Sequence, residues 1–424
     1  MNNDWKIETR AVQAGYEPGN GEPRITPICQ GTTYKYDNAK NVADWFDLKA
    51  PGHIYTRLTN PTVSVFEGKM ASLEKGVAAI ATSSGQTANF LAILNVAPSG
   101  YHVVASAALY GGTYNLFKHT MKKMGVEFTF VSADASVEEI EAAVRPNTRA
   151  VFGESLANPM LKVLNFENFA TVAKKHGIPF IVDNTFPTPV LCNPFDFGAD
   201  IVTHSSTKYI DGHATSVGGV IVEKGGFDWN NGKFPWFTEP DETYHGTIFA
   251  EQFPACPFSV RLTGVWIRDL GTPMAPMNAF LSNLGTETLH LRMERHSSNA
   301  LELAKYLKNH PMVDWVTYPF LEDSPEYDLA KKYLKGGSGV LSFGVKGGAK
   351  AAEKLMNALK LAAIVVHVAD VRTCVLHPAS MTHRQLNEEE QIAAGVPPEL
   401  LRVSVGIENV ADIIADFEQA IAQI

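Results

Sequence analysis

The chain has 424 residues, of which 45% are hydrophobic and 19% are charged. This balance is typical of globular proteins and excludes a disordered or fibrous chain, and the length predicts about two to three domains. The formal net charge of −9 provides no overall basic field, so we expect neither a nucleic-acid partner nor a membrane partner.

The N-terminus and the cysteines both indicate a cytoplasmic protein. Charged residues stand where a signal peptide would need an apolar run, namely Asp4, Lys6, Glu8 and Arg10. No C-x-x-C spacing of a zinc or redox site occurs among the four cysteines, Cys29, Cys192, Cys256 and Cys374. No apolar stretch approaches the roughly 18 residues of a membrane-spanning helix.

The elements begin after an arm rich in turn residues, 1–60, and alternate between strands and helices over 61–265. The apolar runs predict strands at 77–81, 102–106, 126–132, 149–155, 179–183, 200–204 and 218–222. The helical patterns lie at 87–94, 113–124, 136–144 and 167–176. This alternation predicts an α/β fold whose large domain has a mostly parallel sheet. Ligands of such sheets bind outside the carboxyl ends of the strands.

The remainder of the chain predicts a smaller C-terminal α+β domain over 266–424. A Gly-, Pro- and aromatic-rich excursion at 225–258 comes first, and its aromatic side chains are more typical of packing than of a lid. A connector helix is predicted at 286–309, strands at 315–318, 339–343, 362–368 and 401–405, and helices at 351–359 and 410–424.

Polar or Gly-bearing segments follow five predicted strands and should meet on one rim of the sheet. They are Ser83-Ser84-Gly85-Gln86, Tyr110-Gly111-Gly112, Asn158-Pro159, Asp183-Asn184-Thr185 and Ser205-Ser206-Thr207-Lys208. Any one of them could be an ordinary turn or helix cap, but their coincidence on one edge indicates a binding site.

A phosphate monoester on a small cofactor fits this rim better than a dinucleotide. The segment at Gly85 opens a helix, so free N–H groups could bind a phosphate, and Ser205 and Thr207 add two hydroxyls. Neither a P-loop nor a G-x-G-x-x-G after a strand occurs.

Asp183 ends an apolar run and should be buried, which requires a cationic partner. The partner could be Lys208, in a structural ion pair, or a protonated nitrogen of a bound heterocycle. A desolvated Lys208 would have a lowered pKa and could form a Schiff base with a carbonyl.

These residues resemble the signature of the Cys/Met metabolism family of pyridoxal-phosphate (PLP) enzymes, which has the fold type I of aspartate aminotransferase. The match covers nearly the whole chain. It rests on Tyr55-Thr56-Arg57, Ser84-Gly85, Tyr110-Gly111, Val182-Asp183-Asn184-Thr185, His204 to Tyr209, His377-Pro378-Ala379-Ser380 and Leu401 to Gly406.

The resemblance implies a role for each matching residue. Lys208 would carry the cofactor and move protons, and Asp183 would keep the pyridine nitrogen protonated. Tyr110 would stack on the ring and assist proton transfer. The other implied cofactor contacts are Asn158 to the ring hydroxyl and Gly85, the Gln86 backbone, Ser205, Thr207, Tyr55 and Arg57 to the phosphate. Tyr55 and Arg57 would come from a neighbouring subunit of a tetramer built as a dimer of dimers, and Arg402 would bind the substrate carboxylate.

The excursion and the segments Gly285 to Leu289 and Arg292 to His296 resemble the O-acetylhomoserine sulfhydrylase branch of the family. That branch implies γ-replacement, in which O-acetylhomoserine and sulfide or a thiol give homocysteine or a thioether plus acetate, in methionine biosynthesis. Methionine γ-lyase and cystathionine γ-synthase or lyase activities are the alternatives. Gly112 stands where γ-lyases usually have a cysteine, which disfavours that branch.

Two positions depart from the sulfhydrylase pattern, since His367 replaces an Asn and Ala369 replaces a Gly. His367 would lie near the substrate carboxylate. The acyl group and the sulfur source, whether sulfide, thiol or a carrier protein, stay open.

We predict no metal site, although several potential ligands lie close in sequence. The cluster of His367, Asp370, Cys374, His377 and His383 lacks a recognised ligand spacing. His290 and His296 are predicted to lie on a helix surface. A non-catalytic protein built on the same scaffold is the remaining alternative, and Arg402 could simply anchor a carboxylate in the core.

Overall fold

A computed structural model describes residues 4–50, 52–382, 384, 389 and 395–424. Its larger sheet has seven strands: β1 (Ala78–Thr82), β2 (His102–Ser106), β3 (Glu127–Val131), β4 (Thr148–Glu154), β5 (Phe180–Asp183), β6 (Ile201–His204) and β7 (Gly219–Glu223). Their spatial order is β1-β7-β6-β5-β4-β2-β3. Only β7 runs antiparallel to its neighbours in this sheet. The carboxyl ends of the parallel strands therefore share one edge.

The smaller sheet comprises β8 (Val313–Thr317), β9 (Val340–Val345), β10 (Ala363–Ile364), β11 (Cys374–Leu376) and β12 (Leu400–Ser404), in the order β10-β11-β12-β9-β8. Its pairs are antiparallel, except that β10 and β11 are parallel. The predicted α/β fold with a mostly parallel large sheet and a second, smaller sheet is confirmed.

Helices cover the sheets and connect their strands. They are α1 (Ile7–Gln13), α2 (Ala39–Phe46), α3 (Pro61–Glu74), α4 (Gly85–Val96), α5 (Gly111–Asn115), α6 (Val137–Ala142), α7 (Phe166–Lys175), α8 (Thr188–Leu191), α9 (Pro235–Thr238), α10 (Phe249–Gln252), α11 (Pro257–Arg261), α12 (Arg268–Leu270), α13 (Pro276–Glu287), α14 (Leu289–Lys308), α15 (Tyr327–Tyr333), α16 (Gly348–Ala358) and α17 (Val410–Ile421). Two π-helical segments, Leu116–Met121 and Leu262–Ile267, continue α5 and α11. Single 3-10 turns lie at Pro194–Phe197 and Glu242–Tyr244.

The long helix α14 joins the two hydrophobic cores of the chain. Leu289 and Met293 near its start pack in the core around the larger sheet. Leu303 and Leu307, further along, pack in the core around the smaller sheet. The face of α14 that bears these residues is therefore buried along its length, and the opposite face, which includes Leu291 at 59% exposure, is open to solvent.

Several helices and strands differ from those predicted from the sequence. The single helix predicted at 286–309 is in fact the end of α13 followed by α14, and both β11 and α15 were missed. The strand predicted at 362–368 is wrong beyond Ala363–Ile364. That apolar run lies at the edge of the smaller sheet, where the Val366 side chain is 64% exposed.

The excursion at 225–258 packs against the larger core, as the aromatic pattern indicated. Phe234 and Phe237 are fully buried, and the ring of Trp229 lies 4.2 Å from that of Phe237. The indole Nε1 of Trp236 donates to the carbonyl of Asn95 at 2.9 Å. Among the described residues, no helix is both long and apolar enough to cross a membrane.

Candidate active site

The segments that follow β1 and β6 meet at the rim of the larger sheet. Ser84 caps α4 by accepting from the Thr87 amide at 3.1 Å, so the amides of Gly85 and Gln86 have no acceptor within the helix. A methyl group on Gly85 would stand 2.4 Å from Ser205 Cβ. The helix N-terminus and Ser205 thus form one surface, which can bind an anion.

Gln86 and Thr207 are both fixed by contacts of their own. The Gln86 side chain donates to the Gly112 carbonyl at 2.8 Å. The Thr207 hydroxyl donates to the Gly218 carbonyl and accepts from the Gly218 amide, both at 3.1 Å. Thr207 therefore has to give up its bond to the carbonyl before it can donate to a phosphate.

Asp183 is a buried carboxylate that neutral groups orient. Its Oδ2 accepts from Asn89 Nδ2 at 2.9 Å, and its Oδ1 accepts from the Thr185 amide at 3.1 Å and the Thr185 hydroxyl at 2.5 Å. No cation of the described chain lies within 4.0 Å of it, so the structural ion pair with Lys208 is wrong. The carboxylate is left for a cation that the described residues do not supply.

Asn89 was not found from the sequence. It lies one turn into α4, bonds Asp183 at one end, and accepts from the Thr203 hydroxyl at the other. Nothing in the helical pattern distinguishes it from a helix-surface amide. Its position three residues after Gln86, on the helix that leaves the rim, is the only signal.

Glu154 is a second functional candidate that sequence reasoning missed. It ends β4, pairs in register with Asp183 of β5, and accepts from the Tyr110 amide at 2.7 Å. Burial, and then the nearby Asp183, raise the pKa of Glu154 well above its usual range. A buried carboxyl thus supports the backbone on which Tyr110 stands.

Asn158 and Tyr110 line the same rim. The Oδ1 of Asn158 is buried and has no hydrogen-bond partner in the described part of the chain. The Tyr110 ring is 53% exposed and lies over Gly112, where a methyl group would stand 2.5 Å from Tyr110 Cε1. A cysteine at 112 would therefore displace the ring.

Lys208 lies in the turn after β6, near Arg402 of β12. Burial, and then the charge of Arg402, lower the pKa of Lys208 to about 8. Arg402 is buried, its Nη2 donates to the Val366 carbonyl at 3.2 Å, and its Nε has no partner in the described part of the chain. Within the described residues no carboxylate forms a salt bridge with it, so the core-anchor interpretation is wrong there.

His367 lies near Lys208 and Arg402. Burial, and then the charge of Lys208, lower the pKa of His367. Its Nε2 is 4.0 Å from Asp370 Oδ2 and has no hydrogen-bond partner among the described residues. His367 Nε2 is therefore a buried polar atom close to both Lys208 and Arg402.

Tyr55 and Arg57 have contacts elsewhere in this chain. Arg57 donates to the Arg268 carbonyl, and its guanidinium lies 5.4 Å from the Tyr55 ring. The Tyr55 side chain is 40% exposed. No described contact joins either residue to Lys208.

His377 and His296, which lie outside the rim, have structural partners. His377 bonds the Ser380 hydroxyl and the Pro398 carbonyl, and no group of three potential metal ligands occurs among the described residues. His383 lies outside those residues. The helix-surface prediction is wrong for His296, which is fully buried and bonds the Val405 carbonyl at 2.7 Å.

Comparison with known proteins identifies the family. The family model described as Cys/Met metabolism PLP-dependent enzyme matches residues 8–422. The chain belongs to this family. It is similar to the homocysteine synthase of Schizosaccharomyces pombe, at 49% identity over 98% of each chain. It is also 45% identical to the O-acetyl-L-homoserine sulfhydrylase of Leptospira meyeri, over 100% of this chain and 98% of that one.

A solved structure shows the same fold with the cofactor on a lysine. The crystal structure of a Campylobacter jejuni protein assigned as an O-acetylhomoserine (thiol)-lyase, which contains a pyridoxyl-lysine monophosphate, aligns with a TM-score of 0.95. It is 38% identical, over 99% of this chain and 100% of that one. The cofactor of this family is PLP, and the rim fits it, since the described residues provide neither a cation for Asp183 nor a partner for Asn158 Oδ1.

Proposed function

We propose that this chain is an O-acetylhomoserine sulfhydrylase, which converts O-acetylhomoserine and sulfide into homocysteine and acetate, in methionine biosynthesis. The observation that carries the proposal is the juxtaposition of Lys208 with Arg402, a buried guanidinium that has no carboxylate partner among the described residues. A substrate that has an amine and a carboxylate on one carbon fits this pair, because its carboxylate can bind Arg402 while its amine reaches a carbonyl held at Lys208. Relatives with sulfhydrylase or homocysteine synthase names that align over nearly the whole chain support the choice of substrate.

The rim residues hold PLP in this proposal. Asp183 pairs with the pyridine nitrogen, Asn158 binds the ring hydroxyl, and Tyr110 covers the ring. The phosphate lies on the Gly85 and Gln86 amides and the hydroxyls of Ser205 and Thr207. When bound, PLP acts as an electron sink for negative charge that develops on the substrate carbons.

Lys208 moves the protons of the reaction. Its lowered pKa leaves a substantial fraction of free amine near neutral pH, and the free amine can accept the proton from the substrate Cα. Arg402 binds the substrate carboxylate and thereby orients the Cα–H bond of the substrate towards Lys208. Tyr110 assists the transfer at the open side of the site. Acetate leaves from Cγ, and the sulfur nucleophile forms its bond to the same carbon.

A neighbouring subunit completes the site in this proposal. Support comes from Tyr55 and Arg57, which are exposed and which no described contact joins to Lys208 of their own chain. The arm also exposes large apolar side chains, among them Trp5 at 44% and Ile25 at 44%. We infer a cytoplasmic tetramer, a dimer of dimers, in which the arm of one subunit reaches the phosphate of the next.

A product assay tests the proposed reaction. With O-acetylhomoserine and sulfide, homocysteine should form faster than ammonia, and each activated homoserine and each sulfur donor, including a thiol and a carrier protein, is compared in turn. Ammonia as the main nitrogen-containing product would instead indicate a γ-lyase. Cystathionine formation from cysteine would indicate a cystathionine synthase.

The Lys208→Ala variant separates an enzyme from a non-catalytic PLP protein. Borohydride should fix the cofactor on the unaltered chain and not on the variant, which should also lose nearly all turnover. Fixation on another lysine of the variant would contradict the role of Lys208.

A further inference from the structure

Tyr209, the residue after Lys208, connects the turn that bears Lys208 to the smaller sheet. Its side chain is fully buried, and its hydroxyl accepts from the Gly339 amide at 3.1 Å and the Ser338 hydroxyl at 3.4 Å. A methyl group on Gly339 would stand 2.6 Å from the Tyr209 hydroxyl, so only glycine permits this approach. The larger sheet thus contacts β9 directly beside the candidate catalytic lysine.

The same contact leads to the strand that bears Arg402. The Val405 amide donates to the Gly339 carbonyl at 2.7 Å, and Arg402 pairs with Ser342 in the register of β12 with β9. Tyr209, the Gly339 backbone and strand β12 thus form one continuous connection from Lys208 to Arg402.

Helix α14 supports this connection from behind. The Arg292 guanidinium donates to the Tyr209 carbonyl at 2.7 Å. One turn later, His296 Nδ1 lies 2.7 Å from the Val405 carbonyl, and because a carbonyl only accepts, this nitrogen is the donor. The His296 ring also packs edge-on against the Tyr209 ring, at 4.9 Å between centroids.

We propose that Tyr209 and His296 are positioning residues that fix the separation between Lys208 and Arg402, so that one amino acid can bind Arg402 through its carboxylate while its amine reaches the cofactor carbonyl held at Lys208. The inference rests on the roles that the proposed function gives to Lys208 and Arg402. It assigns no contact with substrate to Tyr209 or His296. Their effect is on the gain in affinity when an amine and a carboxylate are joined in one ligand, which depends on the distance between their two binding groups.

Spectral titration of the PLP-loaded protein measures that gain. L-2-aminobutyrate offers an amine and a carboxylate but no leaving group, n-propylamine offers the amine alone, and butyrate, measured by competition, offers the carboxylate alone. The affinity for aminobutyrate divided by the product of the other two affinities reports how well Lys208 and Arg402 are spaced. A purely structural role would weaken the amine site and the carboxylate site independently, so the affinity for aminobutyrate would fall by the product of the two single-group losses and this ratio would stay unchanged.

Tyr209→Phe removes only the hydroxyl. It should lower the ratio about tenfold, because the loss of about one hydrogen bond lets the separation between Lys208 and Arg402 vary. Tyr318→Phe is the matched control, because its hydroxyl is equally buried and bonds the Ser297 and Ser338 carbonyls, but it does not adjoin Lys208. Its ratio should stay within twofold of the unaltered chain.

An unchanged ratio in loaded Tyr209→Phe would overturn the inference, as would an equal fall in Tyr318→Phe. If Tyr209→Phe does not retain PLP, His296→Leu decides by the same criterion. A chain without substitutions that binds aminobutyrate no better than propylamine would instead contradict the roles of Lys208 and Arg402, so the two failures are distinguishable.

Discussion

The contact between Gly85 and Ser205 makes a sharp prediction about phosphate recognition. In Gly85→Ala the new methyl carbon would stand 2.4 Å from Ser205 Cβ and 2.6 Å from Ser205 Cα. Carbon atoms pack at about 3.5 to 4.0 Å, so the N-terminus of α4 and the Ser205 turn must separate by about 1 Å. Hydrogen bonds from amides to a charged oxygen have a length of about 2.7 to 2.9 Å, and this displacement breaks at least one of them.

The loss should weaken PLP binding by about 10- to 100-fold, since a hydrogen bond to a charged group contributes about 1.5 to 3 kcal/mol. Titration of the apoprotein with PLP and with pyridoxal, which lacks the phosphate, measures the preference for the phosphate. This preference should fall in Gly85→Ala and persist in Gly31→Ala, where the nearest atom to the new methyl is 3.7 Å away. An unchanged preference in Gly85→Ala would refute the proposed phosphate site.

Three further substitutions test other contacts of the site. Asn89→Leu removes the donor that bonds Asp183 at 2.9 Å, and it should lower kcat with O-acetylhomoserine and sulfide by about 10- to 100-fold. An unchanged kcat would show that Thr185 alone orients Asp183. Gly112→Ala should displace the Tyr110 ring and lower kcat about tenfold, while the free energy of unfolding in urea changes by less than about 1 kcal/mol because the ring is half-exposed. Lys208→Met should stabilise the apoprotein at pH 7 by about 3 kcal/mol, because burial lowers the pKa of Lys208 from 10.5 to about 8. The loss of stability caused by the buried ammonium of Lys208 is complete below about pH 8 and disappears above about pH 10.5. Urea unfolding should therefore show that Lys208→Met is more stable at pH 7 and equally stable at pH 10.5. A gain in stability that does not depend on pH would contradict burial of the ammonium group.

The strands of the larger sheet could be predicted because each is a short run of apolar residues. β5 and β6 consist of residues that are buried along their whole length, so the pattern marks them without reference to the rest of the chain. The strand β11 was missed because its three residues lie among loops. His296 was placed on a surface because a polar residue in a helix is ordinarily exposed, whereas His296 lies on the face of α14 that packs against the two cores.

The sequence by itself determined which residues stand at the ends of the parallel strands, and the resemblance to a family assigned Lys208 and Asp183 their chemistry. Only the tertiary structure decided which groups surround them. Asn89 meets Asp183 across 94 positions, and Gly339 meets Tyr209 across 130. Apolar periodicity is a property of neighbouring residues and can be read locally. A hydrogen-bond partner is set by how distant segments pack, and an asparagine or a glycine has the same local pattern whether or not such a segment lies beside it.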